Sequence, residues 1–391
     1  MMDFSLSNEH ALLIETARKV GEKFGLDYWR DKDDRKLFAE EFWQEVCDAG
    51  LAGIALPEAY GGSGLGMVEM ALVIEALAAG GGGSTVGQLF MNNPIFGGVS
   101  LSKFGTDRQK QEMLGPLVKG RLRFAMALTE PDVGSNTLSL KTFARRVDGG
   151  WRINGGKIWI TCMPQAHKVL IVARTTRMED APRRTHGFTM FLVDCDREGL
   201  THSVIEKVGT NTNPSSNVYF DEVFARDDEV LGTVGGGWPE LLEVLNTERI
   251  VTTAGMVGAG KLALRLGVAY ARDRKVFGST PIGAYQGLQF PLAQAHAELE
   301  CARLMNLKAA WLHDNAMPYG SEANTAKFLS VRAGTLAIER AMQTMGGMGF
   351  SKEMHIERLW RDARLFQFAP VSEEMILNFI AVHDLGLPRG Y

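Results

Sequence analysis

The stretch Thr142-Phe-Ala-Arg-Arg-Val-Asp-Gly-Gly-Trp-Arg-Ile-Asn-Gly-Gly-Lys-Ile-Trp-Ile-Thr161 decides the architecture of the chain. Thr142 to Val147, Trp151 to Ile153 and Lys157 to Ile160 are strand-like runs, too short for stable helices. Asp148-Gly149-Gly150 and Asn154-Gly155-Gly156 separate them, and Asn, Asp and Gly supply the positive φ that tight hairpins need. Outward from here, Phe124 to Leu128 on one side and Val169 to Ala173, Phe188 to Val193 and Asn217 to Val223 on the other repeat the strand texture. The expectation is a compact antiparallel β domain over 123–233.

Both flanks read as helices. Leu13, Ala17, Val20 and Phe24 recur at helical spacing behind Ser7 as N-cap, and Phe38, Phe42, Val46 and Ala49 repeat the pattern up to Gly50. After a loop over 60–66, Val68 to Ala79 and Gln109 to Lys119 continue it, which gives an N-terminal helical domain over 1–122. Beyond Gly235-Gly236-Gly237 the period returns. Leu288, Leu292, Ala295, Leu299 and Ala302 step by 4, 3, 4, 3, the seam of a helix packed nearly antiparallel to its neighbours. Long patterns over 238–272, 285–315 and 321–345 predict a C-terminal bundle of about four helices over 234–391. The fold class is α+β multidomain: helical domain, central antiparallel β barrel-like domain, C-terminal four-helix bundle.

A chain of 391 residues has room for two or three domains at roughly 100 to 200 residues each. Its 45% hydrophobic and 23% charged residues exclude a disordered chain. Lys plus Arg (42) against Asp plus Glu (46) leaves a formal charge of −4, which argues against nucleic-acid binding. Cys47, Cys162, Cys195 and Cys301 lie far apart without Cys-x-x-Cys, so a disulfide framework and a zinc ribbon are both unsupported. The eight histidines contain no His-Glu-x-x-His, and no metal site is expected. No apolar run reaches the roughly 18 residues of a membrane span. The opening Met-Met-Asp-Phe-Ser-Leu-Ser-Asn-Glu-His lacks the order of a signal peptide and the Arg-rich bias of a transit peptide, so a cytoplasmic protein is expected. Gly-x-Ser-x-Gly and the Walker loop are absent. Gly258-Ala-Gly260-Lys-Leu-Ala263 matches a loose dinucleotide fingerprint, but the helical pattern runs unbroken from Leu241 through Leu266. Small residues that let helices approach closely are the better account, and no acidic strand end follows to hold a ribose.

Glu248 is the most informative acidic residue. Its helical neighbours Val244, Leu245, Val251 and Thr252 cannot pair with it, so it interrupts an apolar stripe. Desolvation there raises proton affinity into the range of a general base near neutral pH; pairing across helices with an Arg is the structural alternative. Thr129-Glu-Pro-Asp-Val-Gly-Ser-Asn136 is a tight loop whose backbone N–H groups can face a ligand. Trp159-Ile160-Thr161 ends a strand where an aromatic face and a hydroxyl suit a flat ring system, with a buried core Trp as the alternative.

The segments TEPDVGSN, KIWIT, YARDRKVFG followed by YQGLQFPLA, QTMGGMGF and ERLWRDARLFQFAPVSEEM stand in this order and spacing across essentially the whole chain, which resembles the acyl-CoA dehydrogenase family of flavoproteins. That family's domain order agrees with the one read above. The resemblance implies FAD held between domains and subunits. Leu128, Thr129, Gly134 and Ser135, with Trp159, Ile160 and Thr161, would hold the flavin ring and ribityl chain. Arg274, Phe277, Gln286, Gln343, Gly346 and Gly347 would reach the adenine dinucleotide part in a neighbouring subunit, and Ser372 and Glu374 would also touch the cofactor. One gap differs: Ser279-Thr280-Pro281 makes the spacing from Phe277 to Gln286 one residue longer than usual. Ser135, Asn246 and Arg249 would contact substrate.

Many members carry the catalytic Glu after the Arg-Asp motif, where an ungapped count from Arg361-Asp362 places Pro370. A second group, resembling isovaleryl-CoA and long-chain acyl-CoA dehydrogenases, carries it on the first bundle helix directly before an Arg, and Glu248-Arg249 matches that position. The resemblance implies α,β-dehydrogenation of an acyl-CoA thioester to the trans-2-enoyl-CoA in fatty or branched acyl catabolism, with an electron-transferring flavoprotein as acceptor and a homotetramer as functional unit. A flavin-dependent monooxygenase on the same fold, and a non-catalytic subunit completing a partner's FAD site, are the alternatives.

Overall fold

The computed structural model describes residues 5–390; Met1 to Phe4 and Tyr391 lie outside them, and the targeting reading of the opening residues falls partly there. Helix α1 (Asn8–Lys23) starts as expected, with Ser7 Oγ accepting from the His10 N–H at 3.1 Å. It is followed by α2 (Leu26–Asp34) and by α3 (Glu40–Asp48), behind which Gly50 turns the chain at φ 73°. Helix α4 (Met67–Leu77) runs into a wide-turn helical segment, Ala78–Gly82. Next come α5 (Thr85–Phe90), a second wide-turn segment, Met91–Val99, α6 (Ser100–Phe104) and α7 (Asp107–Val118). The sequence reading missed α2 and the helical run between Thr85 and Phe104. That run is buried almost all round, so it has no polar face to create a stripe; four glycines at 80–83 precede it and Pro94 lies within it.

The middle of the chain forms an eight-stranded sheet: β1 (Phe124–Ala127), β2 (Phe143–Val147), β3 (Gly150–Thr161), β4 (Lys168–Arg174), β5 (Phe188–Asp194), β6 (Leu200–Ile205), β7 (Ser215–Arg226) and β8 (Val230–Leu231). The order is β6-β7-β3-β2-β4-β5-β8, with β1 beside β4. Most pairs are antiparallel as expected, but β1 runs parallel to β4, because the crossover through the Thr129 loop and the β2–β3 hairpin returns the chain in the same direction.

Asp148-Gly149 closes the β2–β3 hairpin, with Val147 opposite Gly150. Asn154-Gly155-Gly156 does not make a turn, and this corrects the sequence reading. Strand β3 passes straight through it, and the register against β7 slips between Ile153 and Gly155, a bulge. Gly155 is required by crowding: a Cβ there would lie 2.6 Å from Thr142 Oγ1. Asn154 instead locks the bulge to β7, its Oδ1 accepting from the Glu222 N–H at 3.0 Å.

Four helices follow as a packed unit: α8 (Gly237–Asp273), α9 (Gln286–Asp314), α10 (Gly320–Met345) and α11 (Ile356–Leu365), then the short α12 (Glu373–Phe379). A small hairpin, β9 (Lys275–Val276) and β10 (Thr280–Pro281), links α8 to α9. Leu292, Ala295, Leu299 and Ala302 form the expected α9 seam, packing with Val257 and Leu264 of α8 and Ala333 and Ala337 of α10. The glycines of the loose fingerprint are contact points inside unbroken α8, as the helical period implied. A Cβ on Gly258 would lie 2.5 Å from Ala78 Cβ and from the Glu75 carbonyl oxygen. One on Gly255 would lie 3.0 Å from Gly87 Cα. Gly258→Val therefore pushes α8 off α4, and overpacking of this kind costs about 1–3 kcal/mol. A thermal melt of that variant reads the loss, and an unchanged midpoint contradicts the packing account.

Candidate active site

The Thr129–Asn136 loop is pinned from below by β3. The Ile158 N–H donates to the Thr129 carbonyl at 2.9 Å. Lys157 Nζ, fully buried, donates to the Leu128 carbonyl at 2.8 Å and to Glu130 Oε1 at 3.0 Å. Glu130 in turn accepts from the N–H groups of Lys141 (2.6 Å) and Thr142 (2.8 Å). Burial pulls the Lys157 ammonium down to about 8, with Glu130 opposing; the Glu130 carboxyl itself sits below its usual range because Lys157 and those N–H donors outweigh desolvation. Breaking such a buried pair leaves an uncompensated charge, so both partners hold the loop. With its ends fixed, the Thr129, Gly134 and Ser135 N–H groups have no acceptor among the described residues. A Cβ on Gly134 would meet nothing within 4 Å.

A second slip of the β3–β7 register falls between Lys157 and Ile160, with Trp159 at φ 63°. Simple alternation puts Lys157 and Trp159 on one face. The slip instead turns Ile160 into the core and leaves Trp159 52% exposed, so the core-Trp alternative fails. An exposed ring, the Thr161 hydroxyl next to it and a loop of free N–H donors together make a surface that fits a flavin ring with its polar edge.

Glu248 is 4% exposed on α8 and forms no ion pair among the described residues, which argues against the structural alternative. Burial pushes its carboxyl up from 4.5 to about 8, against the opposing charges of Arg249 and Lys327. Glu248 shares its helix face with Thr252 and Gly255. That face meets α5 so closely that a Cβ on Gly87 would lie 2.9 Å from the Val251 carbonyl oxygen and 3.3 Å from Thr252 Cα. Leu128, Val133 and Cys162 from the pinned loop and strand end belong to the same apolar core as Val244, Leu245 and Val251 beside Glu248. The turned-over residues Asn246 and Arg249 instead line a cleft of about 400 Å³, together with Leu242, Asn324, Val371 and Phe379. Arg249 Nη1 donates to the Leu245 carbonyl at 3.2 Å and to Asn246 Oδ1, while its buried Nε has no partner.

The other named residues divide by place. Ser372 caps α12, its Oγ accepting from the Met375 N–H at 3.3 Å, and exposed Glu374 lies in the first turn. Pro370 precedes them. Arg274, Phe277, Gln286 and the Gln343 to Gly347 stretch gather at the far end of the bundle, where Gly267 of α8 abuts Ala341 of α10 and Gly283 abuts Ala271. At a 1.5 Å rise per residue, the 26 positions from Glu248 to Arg274 span roughly 39 Å. The named residues therefore fall into two groups, one near each end of α8. Phe277 at φ 49° is 96% exposed at the tip of the β9–β10 hairpin.

The sequence reading missed Lys157, Glu130 and Lys327. Lys327 Nζ donates to the carbonyls of Phe366 (2.7 Å) and Val371 (2.6 Å) and is 2% exposed. It continues the seam Ala323, Lys327, Ser330, Gly334, Ala337, Ala341, so the criterion that singled out Glu248 also marks it.

Three family models match: the acyl-CoA dehydrogenase N-terminal domain over 7–121, the middle domain over 125–223 and the C-terminal domain over 235–383. The chain is 39% identical over 390 residues to an acyl-CoA dehydrogenase, FadE12, of Mycobacterium tuberculosis, covering 99% of each chain. Butyryl-CoA dehydrogenase of Megasphaera elsdenii superposes with a TM-score of 0.91 at 28% identity, over 96% of this chain and 98% of that one. The FAD complex of PigA gives 0.92 at 28%, over 99% and 100%. The three matched domains follow the order of the three parts of the fold, and the likeness runs along the full length: the chain is a member of the acyl-CoA dehydrogenase family of oxidoreductases.

Proposed function

We propose that the protein removes the α proton of an acyl-CoA thioester with Glu248 while FAD is bound at the Trp159 face, giving the trans-2-enoyl-CoA. The observation that carries this reading is the carboxylate buried without an ion pair, its affinity for a proton raised to about 8 by desolvation. FAD is the family's cofactor; when bound, it accepts the hydride from the β carbon. The residues that would hold it are Leu128, Thr129, Gly134 and Ser135 in the loop and Trp159 to Thr161 in the strand, with Ser372 and Glu374 from the α12 start.

A proton α to a thioester is only weakly acidic, so a base near its own pKa in a dry site is more effective than a solvated carboxylate. Asn246 and Arg249 support substrate binding, since they present an amide and a cation to the cleft. The developing charge on the thioester oxygen needs a donor, and Pro370 has no N–H. The Val371 N–H has no acceptor among the described residues, and it is the donor we assign. An acid group on α8 also argues against a non-catalytic subunit. An electron-transferring flavoprotein is the proposed electron acceptor on the family likeness.

The functional unit is proposed to be a homotetramer. The separation of roughly 39 Å along α8 supports this, because Arg274, Gln343 and Gly346 then serve a cofactor whose ring lies in another copy. No described helix is long and apolar enough to cross a membrane.

Glu248→Gln keeps the shape but cannot take a proton. Reduction of bound flavin by acyl-CoA should fall 10²-fold or more, with thioester binding retained; a rate near wild type moves the base elsewhere. In the wild type that rate should climb about tenfold per pH unit and level off above about 8. The same shift links to stability with a definite sign. The folded state holds this proton more tightly than the unfolded chain, so the contribution is full below pH 4.5 and is lost as pH rises through about 8. Apo Glu248→Gln should therefore gain on the wild type in melting temperature across that window, and parallel curves contradict the assignment. Arg274→Ala should release FAD on gel filtration and shift the assembly toward smaller species; full cofactor retention in a monomer overturns the shared site.

A further inference from the structure

Lys327 lies in none of the motifs that carried the family resemblance, yet it is a cation sealed into the C-terminal bundle. Its ammonium bridges two elements. Phe366 ends α11, and its carbonyl is one of the acceptors a helix leaves unpaired at its C-terminus. Val371 immediately precedes Ser372, the N-cap of α12, and its side chain lines the cleft. One side chain thus ties the two ends of the 366–371 turn together, alongside the backbone bonds from Phe368 and Ala369 to Leu365 and from Glu373 to Gln367. The turn includes Pro370, where many relatives carry their base, so this chain has emptied the position of acid and kept a fixed frame.

We infer that Lys327 is a positioning residue for the reaction: it clamps the Phe366–Val371 turn, whose last residue lines the cleft, and it sets a positive charge in the surroundings of Glu248. The inference rests on the reading of Glu248 as base. The clamp fixes where the Val371 N–H stands relative to the thioester. The charge favours the ionised form of Glu248, so without it burial, opposed by Arg249 and no longer by Lys327, would hold the carboxyl protonated to still higher pH. The charged groups acting on Lys327 are Arg249 and Glu248 from α8 and Glu373 and Glu374 from α12; those acting on Glu248 are Arg249 and Lys327. Glu373 is itself held by Arg332 at 3.3 Å. Burial pulls the Lys327 ammonium down to about 8, with Arg249 adding to it, so below that pH the clamp carries its charge.

The two roles separate by substitution in the holoenzyme. Lys327→Gln retains amide donors for the two carbonyls but no charge; Lys327→Arg retains charge; Lys327→Met retains neither. The protonation of Glu248 is read from its carboxyl infrared band, identified as the band that Glu248→Gln removes. Cleft shape is read from the affinity of an unreactive acyl-CoA thioether by calorimetry, with FAD content measured alongside. The expected result is a Glu248 midpoint raised by about one unit in Lys327→Gln and Lys327→Met and unmoved in Lys327→Arg. One unit corresponds to a tenfold lower ionised fraction below the midpoint. Thioether affinity should fall about tenfold in Lys327→Met, as expected for about 1.4 kcal/mol, and by less than about threefold in Lys327→Gln. A Glu248 midpoint equal in wild type and Lys327→Gln overturns the charge role. Wild-type affinity in Lys327→Met overturns the clamp, and if Lys327→Met does not fold, a Lys327→Gln affinity loss as large as tenfold does the same. Glu248→Gln reducing flavin at the wild-type rate would defeat the base assignment alone, since the infrared midpoint and the thioether affinity are read without turnover.

Discussion

Desolvation of one carboxylate is the constraint around which this chain is arranged. A carboxylate in water is a poor base for a thioester α proton, and taking it out of water costs several kcal/mol unless the surroundings are built to bear it. Here α8 carries Glu248 on a face where glycine meets glycine, Gly255 against Gly87, so two helices close over the flank of the site with backbone alone. Arg249 and Lys327 stand near without forming a salt bridge to it. That arrangement keeps the carboxyl titratable: a tight ion pair would lock it ionised and weaken it as a base. The wide-turn segments and the run of glycines between Ala78 and Val99 follow from the same demand, since they let the N-terminal domain lie flush against α8.

The cofactor face obeys a different rule. Free backbone donors are useful to a ligand only if the loop that bears them does not move, and a loop has little core of its own. Lys157 and Glu130 supply that rigidity by stitching the Thr129 loop to β3 and to the start of β2. Both the loop and the exposed Trp159 depend on register slips in one strand, so a single length of β3 determines two walls of the site.

How much of this could be read from the sequence depended on whether a residue broke a local pattern. Glu248 did so visibly, because four apolar or hydroxyl neighbours surrounded it at helical spacing. Lys327 broke an equally regular seam of small residues, but Ala and Gly are weak markers of burial, so the pattern predicted a bundle helix without marking the lysine as buried. Asn154-Gly155 carried the strongest local hairpin signal in the chain and was overruled, since β7 offered a long partner and Thr142 a space only glycine could share. The exposure of Trp159 was illegible for a related reason: alternation predicts a face only until a residue takes positive φ. The helices of 85–104 were hidden by uniform burial, which erases periodicity at the very places where packing is densest. The division of the named residues between two ends of the bundle is a matter of helix length, and it emerges once α8 is known to be continuous.

The Glu130–Lys157 pair gives the protein an order of disassembly in acid. Glu130 is held ionised below the usual carboxylate range, so its contribution is present above the unfolded value and lost as pH falls through the folded one. Glu248 responds in the opposite sense, being most at ease when protonated. Acid therefore eases the buried carboxyl on α8 while it weakens the loop in the β domain: once Glu130 takes a proton, a fully buried ammonium faces a neutral partner, and the bonds to the Leu128 and Thr129 carbonyls are left to hold the turn. Because Glu130 takes up that proton only below the usual carboxylate range, the loop outlasts mild acid and weakens where Glu248 is already neutral, so the two domains respond to opposite ends of the pH scale.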